Sequence, residues 1–367
     1  MTDRLGALTA AGVSIWLDDM SRERVRSGNL AELIEKFHVS GVTSNPSIFA
    51  KAISGSDLYT DQLRTLKDSG ADVEAALTAV TTDDIRDACD LFAPQFAATA
   101  GEDGRASIEV DPRLAHEVEA TVAQAKSLRA TVDRDNVYIK IPATRAGLAA
   151  IADSIAVGIN INVTLIFSVE RYAEVLDAYL AGLERARAAG LDLSRIHSVA
   201  SVFVSRTDVE VDKRLEAIGT DEALALRGKA ALAVSWLCHE VYAHVSSSDR
   251  WRALAAAGAH AQRPLWASTS TKNPAYRDVL YVEELVTANC VNTMPEPTMH
   301  AFADHGQVRG DTVAGRYDDA RALLESVRAV GVNFDGVFQT LEDEGVEKFI
   351  TAWTDLIATT AKVLEAL

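Results

Sequence analysis

The sequence predicts an α/β protein of the (β/α)8-barrel type, with additional helices at its N- and C-terminal ends. Three observations lead there. Short β-type runs recur eight times along the chain. Amphipathic helical stretches separate them, the pattern of βα units building a parallel sheet. Within several runs, aliphatic and polar side chains alternate, so one face suits packing on outer helices while the other turns inward.

The strands are expected, in order, over residues 13–18, 42–45, 106–111, 137–141, 159–167, 197–204, 264–269 and 290–293. Asp111-Pro112 offers an N-cap followed by proline at the first helical position, and Leu114, Val118, Val122, Ala125, Leu128 and Val132 continue as one apolar stripe. Tyr172, Val175, Leu176, Tyr179 and Leu183 form another stripe, and Leu224, Ala231, Val234, Cys238, Val241 and Val245 a third. Beyond the last strand, Leu323, Leu324, Val327 and Val330 stop at Gly331, after which Val346, Phe349, Ile350, Trp353, Leu356, Val363 and Leu364 run to the terminus as an extra helix. No Pro/Gly/Ser-rich linker divides the chain, so residues 1–367 are expected to form a single barrel domain.

Apolar residues make up 48% and charged residues 24% of the 367, enough to build a large core. The excess of 53 acidic over 36 basic residues gives a net charge of -17. Such a field repels nucleic acid and anionic membranes, so neither partner is expected, and an anionic substrate would need a local cluster of Arg or Lys. Cys89, Cys238 and Cys290 are far apart and show no CxxC spacing, which suggests neither a disulfide framework nor a zinc site. Early acidic residues leave no signal-peptide pattern. The least charged stretch, 147–167, is broken by Asp153, Asn160, Asn162 and two glycines, as expected of a buried helix and strand rather than a membrane span. A cytoplasmic location is therefore expected, and the sequon Asn162-Val163-Thr164 is read as incidental.

Alternation locates the chemistry. Val137, Ile139 and Ile141 share one face, leaving Tyr138 and Lys140 on the other. Ala106, Ile108 and Val110 oppose Ser107, Glu109 and Asp111; Ile159, Ile161, Val163 and Leu165 oppose Asn160, Asn162 and Thr164. Val13, Ile15 and Leu17 oppose Ser14, Trp16 and Asp18, and Val42 and Ser44 oppose Thr43 and Asn45. Ionic and amide groups inside a barrel are costly unless they pair and have a use, and barrel active sites lie at the C-terminal strand ends. Asp18, Asn45, Glu109, Lys140, Asn162 and Thr164 all fall near those ends.

Burial favours the neutral form of an amine, which can attack a carbonyl. Schiff-base chemistry then needs proton transfers that two carboxylates, Glu109 and Asp18, can divide between them. The plain alternative is an ion-paired structural cluster. Arg206 and Lys272 lie where barrel enzymes commonly hold phosphate. The His239-Glu240 and His244 spacing is one residue longer than HExxH and puts the histidines off a common helical face, so a zinc site is rejected. No GxGxxG or GxxxxGK[ST] supports nucleotide binding.

Thr43-Ser44-Asn45-Pro46-Ser47, Ser107-Ile108-Glu109-Val110-Asp111, Tyr138-Ile139-Lys140-Ile141-Pro142 and the run from Asn160 to Phe167 closely resemble the transaldolase family, and the resemblance extends over all eight strands. The length and the 268–273 loop look like the longer bacterial members, especially those of actinobacteria. The resemblance implies that Lys140 is the Schiff-base lysine, that Glu109 works through a water, and that Asp18 exchanges the proton of the hydroxyl at the cleaved bond. It implies that Asn45, Asn162, Thr164 and Ser201 orient substrate and water, and that Arg206, Ser268 and Lys272 take the distal phosphate. No metal or organic cofactor is implied. The implied reaction moves a dihydroxyacetone unit from sedoheptulose 7-phosphate to glyceraldehyde 3-phosphate, in the pentose phosphate pathway. A homodimer is among the assemblies compatible with the chain. The rivals are a fructose-6-phosphate aldolase, in which Phe203 would often be tyrosine, a non-catalytic sugar-phosphate-binding barrel, and a pyridoxal-phosphate enzyme.

Overall fold

In the computed structural model, which describes residues 3–367, eight parallel strands close into one barrel: β1 (Val13–Asp18), β2 (Val39–Thr43), β3 (Arg105–Glu109), β4 (Val137–Pro142), β5 (Ile161–Ile166), β6 (Ser198–Phe203), β7 (Arg263–Ala267) and β8 (Cys290–Met294). Each pairs with its sequence neighbour, and β8 returns to β1. All eight expected strands are present, with shifted ends. The largest shift is in β2, which starts three residues earlier than expected, so Asn45 lies beyond the strand as the N-cap of the helix Pro46–Gly55.

The register stacks the inward side chains in layers. At the N-terminal end, Arg263 donates to Asp103 at 3.0 Å and to the Cys290 carbonyl at 3.0 Å, while Ser14 donates to Asp103 at 2.8 Å. Arg105 is fully buried, its guanidinium 4.8 Å from the ring centres of both Phe96 and Tyr138. Above it, Trp16 and Tyr138 meet at 5.9 Å between centroids and plug the middle of the barrel. Gly41 pairs with Trp16 across the β1–β2 ladder, and a Cβ there would fall 2.6 Å from the indole. The strand can pass the ring only because residue 41 has no side chain.

Helices surround the barrel where the apolar stripes predict them, with two corrections. Asp111-Pro112 starts a separate 3-10 turn, Pro112–Leu114, and the helix proper runs Val118–Val132. The Asp111 carboxylate accepts from the Arg113 amide, which caps that turn and leaves Leu114 outside the long stripe. Leu224 likewise belongs to a short helix, Asp221–Leu224, cut from Ala230–Ser246 by Gly228, whose φ is 71°. The Tyr172 stripe forms Val169–Ala188, capped by Ser168. The N-terminal addition is Arg4–Ala10. The C-terminal addition is a helix of 33 residues, Phe334–Ala366, capped by Asn333 and packed against Pro46–Gly55, β5 and the Pro112–Leu114 turn. All these partners follow strand C-terminal ends or lie at one, so this helix crosses the mouth of the barrel. Among the described residues no helix is long and apolar enough to cross a membrane.

Gly41→Ala should lower stability by about 1–3 kcal/mol, the cost of overpacking a filled core. A lower denaturant midpoint at unchanged slope would show it; an unchanged midpoint would mean that Trp16 yields freely.

Candidate active site

Strand pairing sets three inward side chains in a row near the barrel mouth: Glu109 lies opposite Lys140 across β3–β4, and Lys140 opposite Asn162 across β4–β5. Lys140 is 7% exposed and Glu109 6%. The amine stands 3.7 Å from Glu109 Oε2, an ion-pair distance too long for a hydrogen bond. Neither carboxylate oxygen has a hydrogen-bond partner in the protein. Burial raises the Glu109 pKa above its ordinary value; the Lys140 charge opposes that shift and the Asp18 charge adds to it. A carboxylate so placed holds a proton more readily than an exposed one and can exchange it with a neighbouring water.

Beside Glu109 opens a narrow cavity of ≈ 30 Å³, lined by Ser44, Asn45, Thr81 and, from the C-terminal helix, Trp353 and Leu356. It is large enough and polar enough to admit a water molecule. Asn162 is held by its neighbours: its amide nitrogen donates to Ser107 Oγ at 3.2 Å and its oxygen accepts from Ser201 at 2.8 Å. That fixes the amide plane facing Lys140. Thr164 is fully buried, and its hydroxyl has no partner in the protein. Asp18 ends β1 at the rim and accepts from Thr43 at 3.1 Å. It borders a cleft of ≈ 810 Å³ that runs outward past Ser47, Lys51, Tyr59 and Pro295. Asn45 uses its side-chain oxygen as a helix cap, accepting from the Ile48 amide at 3.1 Å and from Ser47 at 2.6 Å, which leaves its amide nitrogen available.

Arg206 lies in the first turn of the helix Val204–Ile218, which follows β6 directly. Its guanidinium sits 5.0 Å from the Phe203 ring centre, and the buried Nη1 has no partner in the protein. Burial lowers its pKa, with Asp18, Glu109 and Glu344 opposing the shift, yet a guanidinium stays charged at any working pH. Ser268, at the end of β7, holds a left-handed backbone with φ 57°. Its hydroxyl meets Ser205 at 2.8 Å and its carbonyl accepts from the Ser205 amide at 3.0 Å, so the loop after β7 is tied to the start of the Arg206 helix. Lys272 is exposed, and its amine donates to Ser270 at 2.7 Å. The structure gives it no contact with the Lys140 group.

The sequence matches the family described as Transaldolase/Fructose-6-phosphate aldolase over residues 15–360. It is 59% identical to "Transaldolase 2" of Streptomyces avermitilis across 100% of this chain and 99% of that protein. It is 58% identical to "Transaldolase" of Acidothermus cellulolyticus, with 100% and 98% covered, and 57% identical to "Transaldolase" of Mycobacterium bovis, with 98% and 97% covered. The chain belongs to this family.

Within this transaldolase-family barrel, sequence reasoning found the strand-borne residues and missed those that arrive from elsewhere. Ser107 was seen only as an inward serine, although it orients Asn162. Phe349 and Trp353 were read as packing residues of a terminal helix. Phe349 instead lies over Lys140, its ring centre 5.4 Å from the amine. The one signal was a long amphipathic helix beyond the last strand. Alternation in β5 also fails at Leu165: φ is 61° and the register shifts between Val163 and Ile166, so Leu165 leaves the outer face to pack on Gly345 of the terminal helix.

His239 is buried and bonded to Tyr317, whereas His244 is exposed, so the two share no site. Among the described residues, one trio of metal-ligating types gathers closely: Glu102, His197 and His260. It lies at the N-terminal end of the barrel, away from Lys140. The two imidazoles stack at 4.0 Å and 25°, so their in-plane lone pairs run side by side rather than converge. Arg263 approaches Glu102 at 3.9 Å, and burial, with the charge of Arg105, pulls the His197 pKa down to about 3. The trio reads as part of the barrel's ionic floor.

Arg206→Ala should weaken inorganic phosphate, measured as a competitive ligand, by roughly 10- to 100-fold, because a hydrogen bond to a charged group contributes about 1.5–3 kcal/mol. Unchanged phosphate affinity would remove Arg206 from the anion site.

Proposed function

We propose that this chain transfers a dihydroxyacetone unit from sedoheptulose 7-phosphate to glyceraldehyde 3-phosphate through a Schiff base on Lys140, giving erythrose 4-phosphate and fructose 6-phosphate. The observation that carries the proposal is the buried row Glu109, Lys140, Asn162, in which an amine and an otherwise unpartnered carboxylate stand 3.7 Å apart. The family and the full-length transaldolase relatives support the same reading.

The free amine of Lys140 attacks the ketose carbonyl carbon, and the oxygen leaves as water once it has been protonated. Glu109, acting through a water in the adjoining cavity, supplies and recovers those protons. The iminium then draws in the electron pair of the carbon–carbon bond as that bond breaks, while Asp18 takes the proton of the hydroxyl on the departing carbon. The aldose phosphate leaves, and a three-carbon enamine remains on Lys140. The enamine carbon next attacks the carbonyl carbon of the acceptor aldehyde, whose oxygen takes the proton back from Asp18. Water adds to the new iminium and releases the ketose phosphate. Asn162, Thr164, Ser201 and Asn45 present donors and acceptors to the sugar hydroxyls and the water. Arg206, with Ser268 and the exposed amine of Lys272, takes the distal phosphate, each supplying a donor or a charge to an anion that the rest of this acidic chain repels.

Phe203 favours transfer over simple aldol cleavage. Its ring packs between Phe167, at 5.5 Å, and the Arg206 guanidinium, and it has no hydroxyl with which to position a water near the enamine. A non-catalytic sugar-phosphate-binding barrel would need the anion site but would gain nothing from burying Lys140. In this reading residues 1–367 act as one unit, since the terminal helix completes the site, and the protein works in the cytoplasm on freely diffusing sugar phosphates.

Consumption of sedoheptulose 7-phosphate should depend on glyceraldehyde 3-phosphate in a coupled assay, and Lys140→Arg should abolish turnover while preserving the fold. Donor cleavage at full rate without acceptor would point to an aldolase instead. Because the Glu109 pKa is raised, its base form is lost as pH falls through a value above the ordinary 4.5. The kcat/KM profile should therefore decline on its acid side above that pH, and Glu109→Gln should lower the rate and remove that limb. An identical limb in Glu109→Gln would assign it to another group.

A further inference from the structure

The transfer reaction contains a hazard that the barrel alone does not answer. After the first cleavage, the enamine carbon can take a proton from water instead of attacking the acceptor. The resulting iminium then adds water, and Lys140 is freed with loss of dihydroxyacetone. Something must cover the enamine on its open side.

We propose that Phe349, on the C-terminal helix, is that cover and sets the partition between transfer to an aldehyde and loss to water. This rests on the Schiff-base reading of Lys140. The helix crosses the strand ends, and its buried side chains Leu341, Val346, Phe349 and Leu356 turn toward the barrel. Its approach is close at Gly345, where a Cβ would come 3.1 Å from Leu165 Cδ2 and 3.5 Å from Phe167 Cε2. Leu165 meets it by adopting a left-handed backbone that a leucine rarely takes. One turn further along, the Phe349 ring lies 5.4 Å from the Lys140 amine and is 9% exposed. Phe167 and Phe203 continue the apolar surface toward Arg206. The bound three-carbon unit would thus be roofed by apolar side chains, while Asp18 and its cleft stay open to the acceptor.

Phe349 acts by excluding water and touches no proton in the reaction, so its signature is a ratio of products rather than a loss of rate. The measurement is dihydroxyacetone released against ketose phosphate formed, from fructose 6-phosphate with saturating erythrose 4-phosphate. Phe349→Ala should raise that ratio by about tenfold, a difference of about 1.4 kcal/mol between the two barriers. Phe349→Leu, which keeps apolar cover without an aromatic face, should stay within about twofold of the parent. Ile350→Ala removes a similar bulk from the same turn, away from the lysine, and should also leave the ratio near the parent's. If Phe349→Ala does not fold, Phe349→Val serves in its place, with a smaller rise expected. A flat ratio in the folded Ala or Val variant overturns the proposal, as does an equal rise in Ile350→Ala or a rise in Phe349→Leu matching that in Phe349→Ala. Absence of transfer in the parent would instead overturn the Schiff-base reading itself.

Discussion

The upper half of the molecule depends on one desolvated pair, Lys140 and Glu109, held 3.7 Å apart inside the barrel. Taking both groups out of water is expensive, and their attraction repays that cost only partly without direct hydrogen bonds. Neither Glu109 oxygen has such a bond within the protein. A purely structural ion pair would be expected to close to hydrogen-bond distance and recruit donors. This pair is held open by strand register instead, with Asn162 fixed on the other side of the lysine by Ser107 and Ser201. The space for a water lies beside the pair, in the cavity of ≈ 30 Å³ lined by Glu109, Ser44 and Asn45.

Two left-handed residues and one close helix approach lie around the same point. Leu165 and Ser268 both hold left-handed backbones, at the ends of β5 and β7. Leu165 lets the strand end bulge to meet Gly345, and Ser268 turns the loop after β7 back toward Ser205 and Arg206. Non-glycine residues in this region of conformational space cost about 1–3 kcal/mol each. The opposite end of the barrel differs in its polar groups rather than in its backbone, since His38, Ala100, Asp133 and Asn289, which precede β2, β3, β4 and β8, are left-handed too. Arg263, Asp103 and Ser14 satisfy one another there, Glu102 pairs with His260, and Trp16 and Tyr138 seal the middle. A floor of paired ionic groups carries a mouth whose buried Glu109, Thr164 and Arg206 atoms are left without partners, the division expected where one end of a barrel supports and the other reacts.

Much of this was legible in the sequence because the inward faces of these strands carry polar side chains, which turns the usual continuous apolar run of a parallel strand into a period-two pattern. Glu109, Lys140 and Asn162 could be placed on one face from alternation alone, and the strand register sets them side by side. Reading failed where the period breaks or the contact is long-range. Asp111-Pro112 looks like a helix start and caps a short turn, because the carboxylate binds the nearest free amide at Arg113. Asn45 looks like an inward strand residue and caps a helix, because proline follows it. Leu165 looks like an outer-face residue until the bulge reverses it. Phe349 gave no local sign of its role, since an aromatic residue in an apolar helical stripe reads as core. Its position over Lys140 is set by the crossing of a helix that begins about two hundred residues after the lysine.

The central claim is that Lys140 becomes covalently bound to the donor sugar, and chemical trapping tests it most directly. Incubation with fructose 6-phosphate followed by borohydride should reduce the iminium to a secondary amine, inactivate the enzyme irreversibly and add one three-carbon or ketose unit. Peptide mapping by mass spectrometry should place that addition on Lys140. An adduct on any other lysine, or full activity after borohydride treatment in the presence of donor, would contradict the account.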